Sequence, residues 1–260
     1  MAGIEEVGKR AVTRWQASGL HLLISAAVAA AGVAIILFVW YPGPFGEAAG
    51  GYGLLFILVA VDVVVGPLIT LIIFKVGKRS LKFDLSVIAV LQLAALFYGM
   101  HIVYLARPAF IVFVKDQFQT VRAVDLDAGE LAKAKYPQFR QPPWLGPELA
   151  FAQMPADQKE RNELVMAAAS GYDLEQFPRV YVPYAEHTQE VLARSWPIGR
   201  MRAVEPEAAK VVDPYLARSG IKESEVRYLR LRAPQAWIAV LIDAKTAQPI
   251  KMLIAEKIAL

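Results

Sequence analysis

Three long apolar runs before residue 105 constrain this chain more than any other feature. They span residues 19–41, 51–74 and 81–105. At a rise of about 1.5 Å per residue, about 20 helical residues cross a hydrocarbon core of about 30 Å. The whole chain of 260 residues is 56% hydrophobic, which is too apolar for an ordinary soluble domain of this length. We therefore predict a membrane region over residues 1–106 with three transmembrane helices.

Basic residues predict the orientation of these helices. Lys9, Arg10 and Arg14 precede the first run, and a basic turn over residues 75–82 joins the second run to the third. The loop over residues 42–50 contains no lysine or arginine. Because cytoplasmic loops carry an excess of lysine and arginine, the N-terminus and the basic turn are expected in the cytoplasm. Three crossings then place residues 107–260 outside, which is the periplasm if the membrane is a bacterial inner membrane.

A cleaved signal peptide is the competing interpretation of the first run. That run is longer than the apolar region of a signal peptide, which has about 7–15 residues. It ends in Trp40, Tyr41 and Pro42, whereas a signal peptidase needs small residues at its cleavage site. Tryptophan and tyrosine are typical of the ends of membrane helices, and so we expect a retained helix.

Residues 107–260 have the mixed composition of a globular domain and can bury their own core. Apolar and alternating runs predict strands over residues 109–114, 118–124, 227–233, 236–243 and 250–254, with 236–243 as the central strand. Capping patterns predict helices over residues 157–171, 185–194 and 206–218, the first with Asp157 as its N-cap. A proline-rich loop that includes residues 141–144 precedes these helices. We predict an α+β domain with an antiparallel sheet.

Polar residues inside the second and third runs are the candidate functional positions. Asp62 lies in the middle of the second run, where an ionised carboxylate costs about 2.5–3.5 kcal/mol. Gly66 and Thr70 follow it at i+4 spacing on one helix face, and Gln92 lies at a comparable depth on the third helix. One interpretation is structural: Asp62 hydrogen-bonds Gln92 and holds the two helices together. The other is functional: these four residues form a site for a partner within the membrane.

Few residues indicate catalysis or ligand binding. The chain has no cysteine, and it contains no nucleophile elbow, phosphate-binding loop or zinc-protease motif. His21 and His101 are expected at opposite membrane surfaces as interfacial residues, and His187 is expected as an exposed helix residue. We therefore predict no catalytic residue, no cofactor and no metal site.

Positive charge does not indicate a nucleic-acid partner. The formal net charge is +4, but many basic residues lie next to the predicted membrane helices rather than on one soluble face. In the C-terminal segment Arg227, Arg230 and Arg232 could form a basic strip that faces lipid or an acidic partner, but such a strip is more often a solvated sheet face, which is what we expect.

The membrane region resembles the type IV pilin accessory proteins of the TfpX/TfpZ type. The resemblance rests on blocks over residues 17–25, 39–44, 61–72, 78–85, 92–95 and 106–108. Among them are the sequence around Asp62, Gly66 and Pro67 and the Ala106-Arg107-Pro108 segment. Beyond about Val124 the similarity is loose.

The resemblance implies a non-catalytic accessory or chaperone-like protein that lies in a bacterial inner membrane and assists a type IV pilin. Its implied partners are the pilin, the lipid bilayer and other pilus assembly proteins. It supplies no catalytic residue. Physical reasoning adds the hypothesis that Asp62 pairs with the terminal amine of a pilin helix. The alternative is a membrane enzyme or carrier that acts on a lipid-linked substrate with Asp62 as its functional acid.

Overall fold

The computed structural model describes residues 12–258. Their contacts divide them into two compact units. The first unit combines the residues up to 34 with residues 53–102, and the second combines residues 35–52 with the chain from residue 103 onward. The second unit therefore includes a segment that the sequence assigns to the membrane region. The predicted cytoplasmic N-terminus, with Lys9 and Arg10, lies outside the described residues.

Within residues 12–258, three helices are long and apolar enough to cross a membrane. They are α1 (Arg14–Trp40), α3 (Gly51–Ile73) and α4 (Leu81–Ala106), and the short helix α2 (Phe45–Ala48) lies between the first two. These bounds agree with the predicted runs, except that α1 begins earlier. The last part of α1, Ile36–Trp40, and the middle of α3, Val61–Val65, are π-helical.

Polar contacts connect the helices of the first unit. The Ser18 hydroxyl of α1 donates to the Pro67 carbonyl of α3 at 2.8 Å. Gly32 of α1 lies close to α4, since a Cβ at this position would be 3.7 Å from the Met100 sulfur. Small residues at such positions let helices approach closely in a membrane, where packing rather than the hydrophobic effect holds helices together.

The second unit contains a seven-stranded sheet. Its strands are β1 (Pro108–Val114), β2 (Gln117–Arg122), β3 (Glu148–Ala152), β4 (Tyr181–Pro183), β5 (Val226–Arg232), β6 (Ala236–Asp243) and β7 (Pro249–Lys257). The spatial order is β4-β3-β1-β2-β5-β6-β7. As predicted, the β1–β2 hairpin and the β5–β6–β7 meander belong to one sheet.

The predicted antiparallel sheet is wrong in one respect, because the sheet is mixed. The pairs β1–β3 and β2–β5 are parallel, and the remaining neighbours are antiparallel. Parallel strands need a long crossover connection; residues 115–147, which include β2, connect β1 to β3, and residues 123–225 connect β2 to β5. Strands β3 and β4, which have only five and three residues, were not predicted. The prediction of β6 as the central strand is also wrong, because β6 is next to the edge strand.

The helices of residues 123–225 are α5 (Ala128–Ala132), α6 (Gln158–Ala169), α7 (Thr188–Arg194), α8 (Ile198–Val204) and α9 (Pro206–Ser219). Two apolar clusters join three of them to the sheet. The predicted N-cap is confirmed, since the Asp157 carboxylate accepts a hydrogen bond from the Glu160 backbone at 2.9 Å. One cluster joins β1 and β3 with α6, and the other joins β5 and β6 with α8 and α9.

The segment between α1 and α3 packs onto the sheet of the second unit. The backbone N–H of Gln235, just before β6, donates to the Ala48 carbonyl at 2.8 Å. Lys257 of β7 forms an ion pair with Glu47. The Tyr41 hydroxyl donates to the Val103 carbonyl at 3.1 Å. Residues 42–50 are therefore part of the folded domain and are not a free loop.

Candidate partner-binding site in the helical unit

The helices of the first unit surround a cavity of about 200 Å³. Helix α1 contributes His21, Ile24, Ser25 and Val28, α3 contributes Asp62, and α4 contributes Ala89, Gln92, Leu93 and Leu96. Most of this wall is apolar, and its few polar groups come from all three helices. Concave apolar sites with a few converging polar groups are typical ligand sites.

Asp62 is the acidic residue of this cavity. It is only 6% exposed. In the described part of the chain, its carboxylate receives no hydrogen bond. A buried carboxylate without a partner is costly unless it is protonated or meets a cation. The Asp62 carboxylate can therefore accept a proton, pair with an organic cation such as an ammonium group, or accept a hydrogen bond from a partner molecule.

A π-helical turn positions Asp62. Within such a turn a carbonyl pairs with the N–H five residues further along, and five residues after Asp62 lies Pro67, which has no N–H. The Asp62 carbonyl is therefore left without its helical partner. The side-chain amide of Gln92, on α4, donates a hydrogen bond to this carbonyl oxygen at 3.3 Å.

This contact changes the predicted structural role of Asp62. The link between the two helices runs from Gln92 to the backbone of Asp62, not to its carboxylate. The side chain of Asp62 is consequently not needed to hold α3 and α4 together. The prediction that Asp62 and Gln92 lie at one depth agrees with this contact. Residue spacing alone cannot show which oxygen of Asp62 accepts the hydrogen bond.

Gly66 and Thr70 continue the buried face of α3. A Cβ on Gly66 would overlap the Gln92 amide, so that glycine is required for the approach of this side chain. Thr70 is 2% exposed, and its hydroxyl is 2.6 Å from Nδ1 of His21. All four predicted site residues are therefore near the contacts between α1, α3 and α4, although a binding role for them stays a prediction.

One histidine differs from the sequence prediction. His21 bonds Thr70 and lines the cavity with Asp62, and its expected position at the membrane surface stays a prediction. His187 was expected to be exposed, but its side chain is 13% exposed and stacks on Phe151 with ring centroids 4.4 Å apart. Its Nδ1 lies 2.7 Å from the Glu190 carboxylate. No sequence signal identified the contacts of His21 with Thr70 and of His187 with Phe151, because in each pair the two residues are distant in the sequence.

A larger groove runs between α3 and α4 on the other side of Gln92. Its volume is about 460 Å³. Nearly all of its wall is apolar, and it includes Val61, Val65, Gly66, Ile69, Phe83, Val87, Leu91 and Gln92. Gln92 lines both the groove and the cavity, so that a helix lying in the groove would contact the residue whose amide bonds the Asp62 carbonyl.

The predicted basic strip on β5 is not a uniformly solvated face. Arg227 donates to the backbone carbonyl and the hydroxyl of Ser195. Arg230 lies 3.3 Å from the Glu205 carboxylate and stacks over Trp237. Only Arg232 of the three is exposed. Local contacts therefore occupy Arg227 and Arg230, and of these two only Arg230 has an acidic partner.

Among residues 12–258, no three side chains of histidine, cysteine, aspartate or glutamate are grouped as metal ligands would be. Glu175 is a half-buried acid of the domain, and its partial burial raises its pKa. The Tyr181 hydroxyl donates to the backbone carbonyl of Glu175, and so this region is explained by local packing.

Comparisons with known proteins agree on one family. Residues 9–50 match the family model described as fimbrial assembly protein FimB. The chain is 36% identical over 185 residues to the "Fimbrial assembly protein, serogroup I" of Dichelobacter nodosus, a match that covers 70% of this chain and 72% of the relative.

Two further relatives come from the same organism. The "Fimbrial assembly protein, serogroup E1" is 32% identical over 229 residues, which are 86% of this chain and 89% of the relative. The "Fimbrial assembly protein, serogroups C1 and C2" is 40% identical over 119 residues, or 45% of this chain and 91% of the relative. No solved structure matches this chain.

Proposed function

This chain belongs to the fimbrial assembly protein family, and from that premise we propose that it assists the assembly of type IV pili. In this proposal it is a non-catalytic, chaperone-like protein of a bacterial inner membrane. Its three helices hold the transmembrane helix of a pilin subunit, and its C-terminal domain contacts the pilin head in the periplasm.

The buried carboxylate of Asp62 is the observation that carries this proposal. Asp62 is 6% exposed and lines the cavity, and its carboxylate receives no hydrogen bond from the described residues. An acid in such a place is usually functional in membrane proteins. The terminal amine of a pilin helix has the charge and the size to pair with it, and the pairing would stabilise a subunit that waits in the membrane.

The apolar groove between α3 and α4 is suited to the helix that brings this amine. Gly66 admits the Gln92 amide at its wall, and Gln92 also lines the cavity that holds Asp62. Since Gln92 is a flexible side chain, its movement would open a path from the groove to the carboxylate. Gly66, Thr70 and Gln92 thus belong to the proposed site together with Asp62.

In the C-terminal domain, the edge of β7 is the surface best suited to contact a pilin head. β7 has nine residues and lies at one end of the sheet. At the other end β4 has three residues and terminates in Pro183, which is how soluble proteins usually protect an edge. A long edge strand can accept an extended segment of a partner through backbone hydrogen bonds.

Photocrosslinking from the cavity tests the proposal. A photoreactive benzoylphenylalanine replaces Ile24, which lines the cavity and is 56% exposed. The matched control replaces Leu23, which is 69% exposed and does not line the cavity. Irradiation of intact cells, followed by mass spectrometry, is expected to yield a pilin adduct from position 24 and much less from position 23.

Two outcomes contradict the proposal. Equal capture of pilin at both positions would indicate unspecific collision in the membrane. Capture of a lipid-linked molecule instead of pilin at position 24 would favour the alternative of an enzyme or carrier that uses Asp62 as its acid.

A further inference from the structure

The loop over residues 142–146 exposes two large apolar side chains. Trp144 is 59% exposed and Leu145 is 70% exposed. They follow two prolines, and Gly146 ends the loop with a φ of +52°. Prolines restrict the backbone of the unfolded chain, so that presenting these side chains costs less conformational entropy. Adjacent exposed apolar residues on a stiff loop usually mark an interaction surface.

This loop lies where the first and third membrane helices end. The Trp144 ring is 6.1 Å from the ring of Trp40, the last residue of α1. It is also 6.4 Å from the ring of Tyr104, in the last turn of α4. A Cβ on Gly146 would lie 3.3 Å from the Val39 carbonyl. Aromatic rings at the ends of membrane helices are typical of the boundary between hydrocarbon and headgroups.

Arg107 holds the loop in this place. It is the first residue after α4 and is 1% exposed. Its guanidinium donates to the Pro143 carbonyl at 2.7 Å and to the Tyr104 carbonyl. It also lies over the Tyr104 ring, 3.6 Å from the centroid. The loop therefore cannot move away from the helix end unless a buried charge loses its partners.

We propose that residues 142–146 form a membrane-contacting loop, in which Trp144 and Leu145 enter the headgroup region of the bilayer. The occupant is lipid because the surface is continuous with side chains that face hydrocarbon. Phe38, two residues before Trp40, is 80% exposed, as expected of a residue on the lipid side of α1. Trp144 extends the aromatic cluster formed by Trp40 and Tyr104. In the proposed contact its indole N–H would donate to lipid headgroups.

Contact with lipid would fix the orientation of the domain. The chain passes between the first and the second unit at residues 34–35, 52–53 and 102–103. An additional contact with lipid through the loop would hold the sheet at one angle to the membrane. This consequence does not depend on any pilus component, and so it can be tested with the purified protein alone.

The absence of cysteine from the sequence allows a clean fluorescence experiment. The full-length variant Leu145→Cys is labelled with the environment-sensitive probe NBD. It is reconstituted into vesicles of phosphatidylethanolamine and phosphatidylglycerol, with or without lipid carrying a doxyl quencher near the headgroup. The matched control is Met166→Cys, which is 69% exposed on α6.

The doxyl lipid is expected to quench the probe at position 145 and to leave the probe at position 166 unchanged. Trp144→Cys provides a second, independent probe with the same expected quenching. Equal quenching at positions 145 and 166 overturns the proposal. So does a probe at position 145 that is shielded from aqueous iodide but not quenched by lipid, because the loop would then face protein. Because no pilin is present, failure here is distinct from failure of the proposed function.

Discussion

At the residue scale, the carboxylate of Asp62 is the group that separates a packing role from a binding role. Gln92 bonds the backbone of Asp62, and so a change of the Asp62 side chain leaves this helix contact intact. Asp62→Asn removes the charge and keeps the shape. We expect it to abolish surface pili while the protein remains at its normal level in the membrane, as measured by immunoblotting and by quantifying sheared pili.

Asp62→Glu is the control for charge, and partial piliation is expected because the acid is kept at a shifted position. If Asp62→Asn and Asp62→Leu both produce normal piliation, Asp62 has no part in the mechanism.

A second prediction at this scale concerns the contact of Gly66 with Gln92. Gly66→Ala is expected to displace the Gln92 amide and to cost its hydrogen bond to the Asp62 carbonyl, about 0.6 kcal/mol. In a Gln92→Ala background the same change should cost much less. Thermal unfolding in detergent measures all four proteins of this cycle.

Gly53→Ala reports what helix propensity alone contributes, since a Cβ at Gly53 has no neighbour within 4 Å. It should be neutral or stabilising by up to about 1 kcal/mol. An equal cost of Gly66→Ala with and without Gln92 would show that the two side chains are not coupled.

The candidate site was predictable only in part at this scale. The i+4 spacing of Asp62, Gly66 and Thr70 indicated the buried face of α3, because helical periodicity is fixed by backbone geometry. The accepting oxygen was not predictable, since it depends on the π-helical turn before Pro67. The contact of His21 with Thr70 was missed for a similar reason: it depends on the rotation of α1 about its axis.

At the scale of elements, the β1–β2 hairpin contains a strained residue. Lys115 is the first residue of its two-residue turn, and its φ is +58°. A left-handed conformation costs a non-glycine residue about 1–2 kcal/mol. Lys115→Gly is therefore expected to raise the free energy of unfolding by up to about 1 kcal/mol, which thermal or urea unfolding would detect.

Asp116→Gly is the matched control in the same turn. Asp116 does not have a positive φ, and glycine there adds only flexibility to the unfolded chain. It should lower the stability slightly. A stabilising effect of both substitutions would mean that the turn tolerates glycine for reasons unrelated to φ.

Elements with strong local signals were predicted well. The β5–β6–β7 meander and the helix capped by Asp157 depend on alternation and on capping residues that lie close together in the sequence. The short strands β3 and β4 have no such signal, since three to five residues are too few to show a period. Their pairing partners lie on distant segments, and for this reason the parallel pairs of the sheet were not foreseen.

At the scale of the whole molecule, topology is the first quantity to test. Alkaline phosphatase is active only outside the cytoplasm. A fusion after Leu260 or after Gly43 is expected to be active, and a fusion after Arg79 in the basic turn is expected to be inactive. Activity of the Arg79 fusion would overturn the predicted orientation, whereas the fold of each unit would be unaffected.

Partner choice is expected to follow the second unit. Surface shape and charge discriminate between similar partners better than apolar helix packing does in lipid. Exchanging this unit between two family members with different pilins should move the preference for pilin with it. The exchange must include residues 35–52 together with the chain from residue 103 onward, so that the contacts of Ala48 with Gln235 and of Tyr41 with Val103 stay native.

The matched control exchanges only residues 107–260. It leaves residues 35–52 unchanged and is expected to lower the amount of folded protein. If the preference for a pilin instead follows the first unit, with residues up to 34 and 53–102, that unit recognises the pilin. The roles of the two units are then reversed.

The packing of residues 42–50 against the sheet also has an evolutionary consequence. Two stretches of the gene that are separated by the codons of a helical hairpin encode one folded body. A single crossover between these stretches combines them from two different parent genes. Contacts between them, such as the ion pair of Glu47 with Lys257, are then no longer matched. Lineages that diversify their fimbriae are therefore expected to inherit these two stretches together or to change them in step.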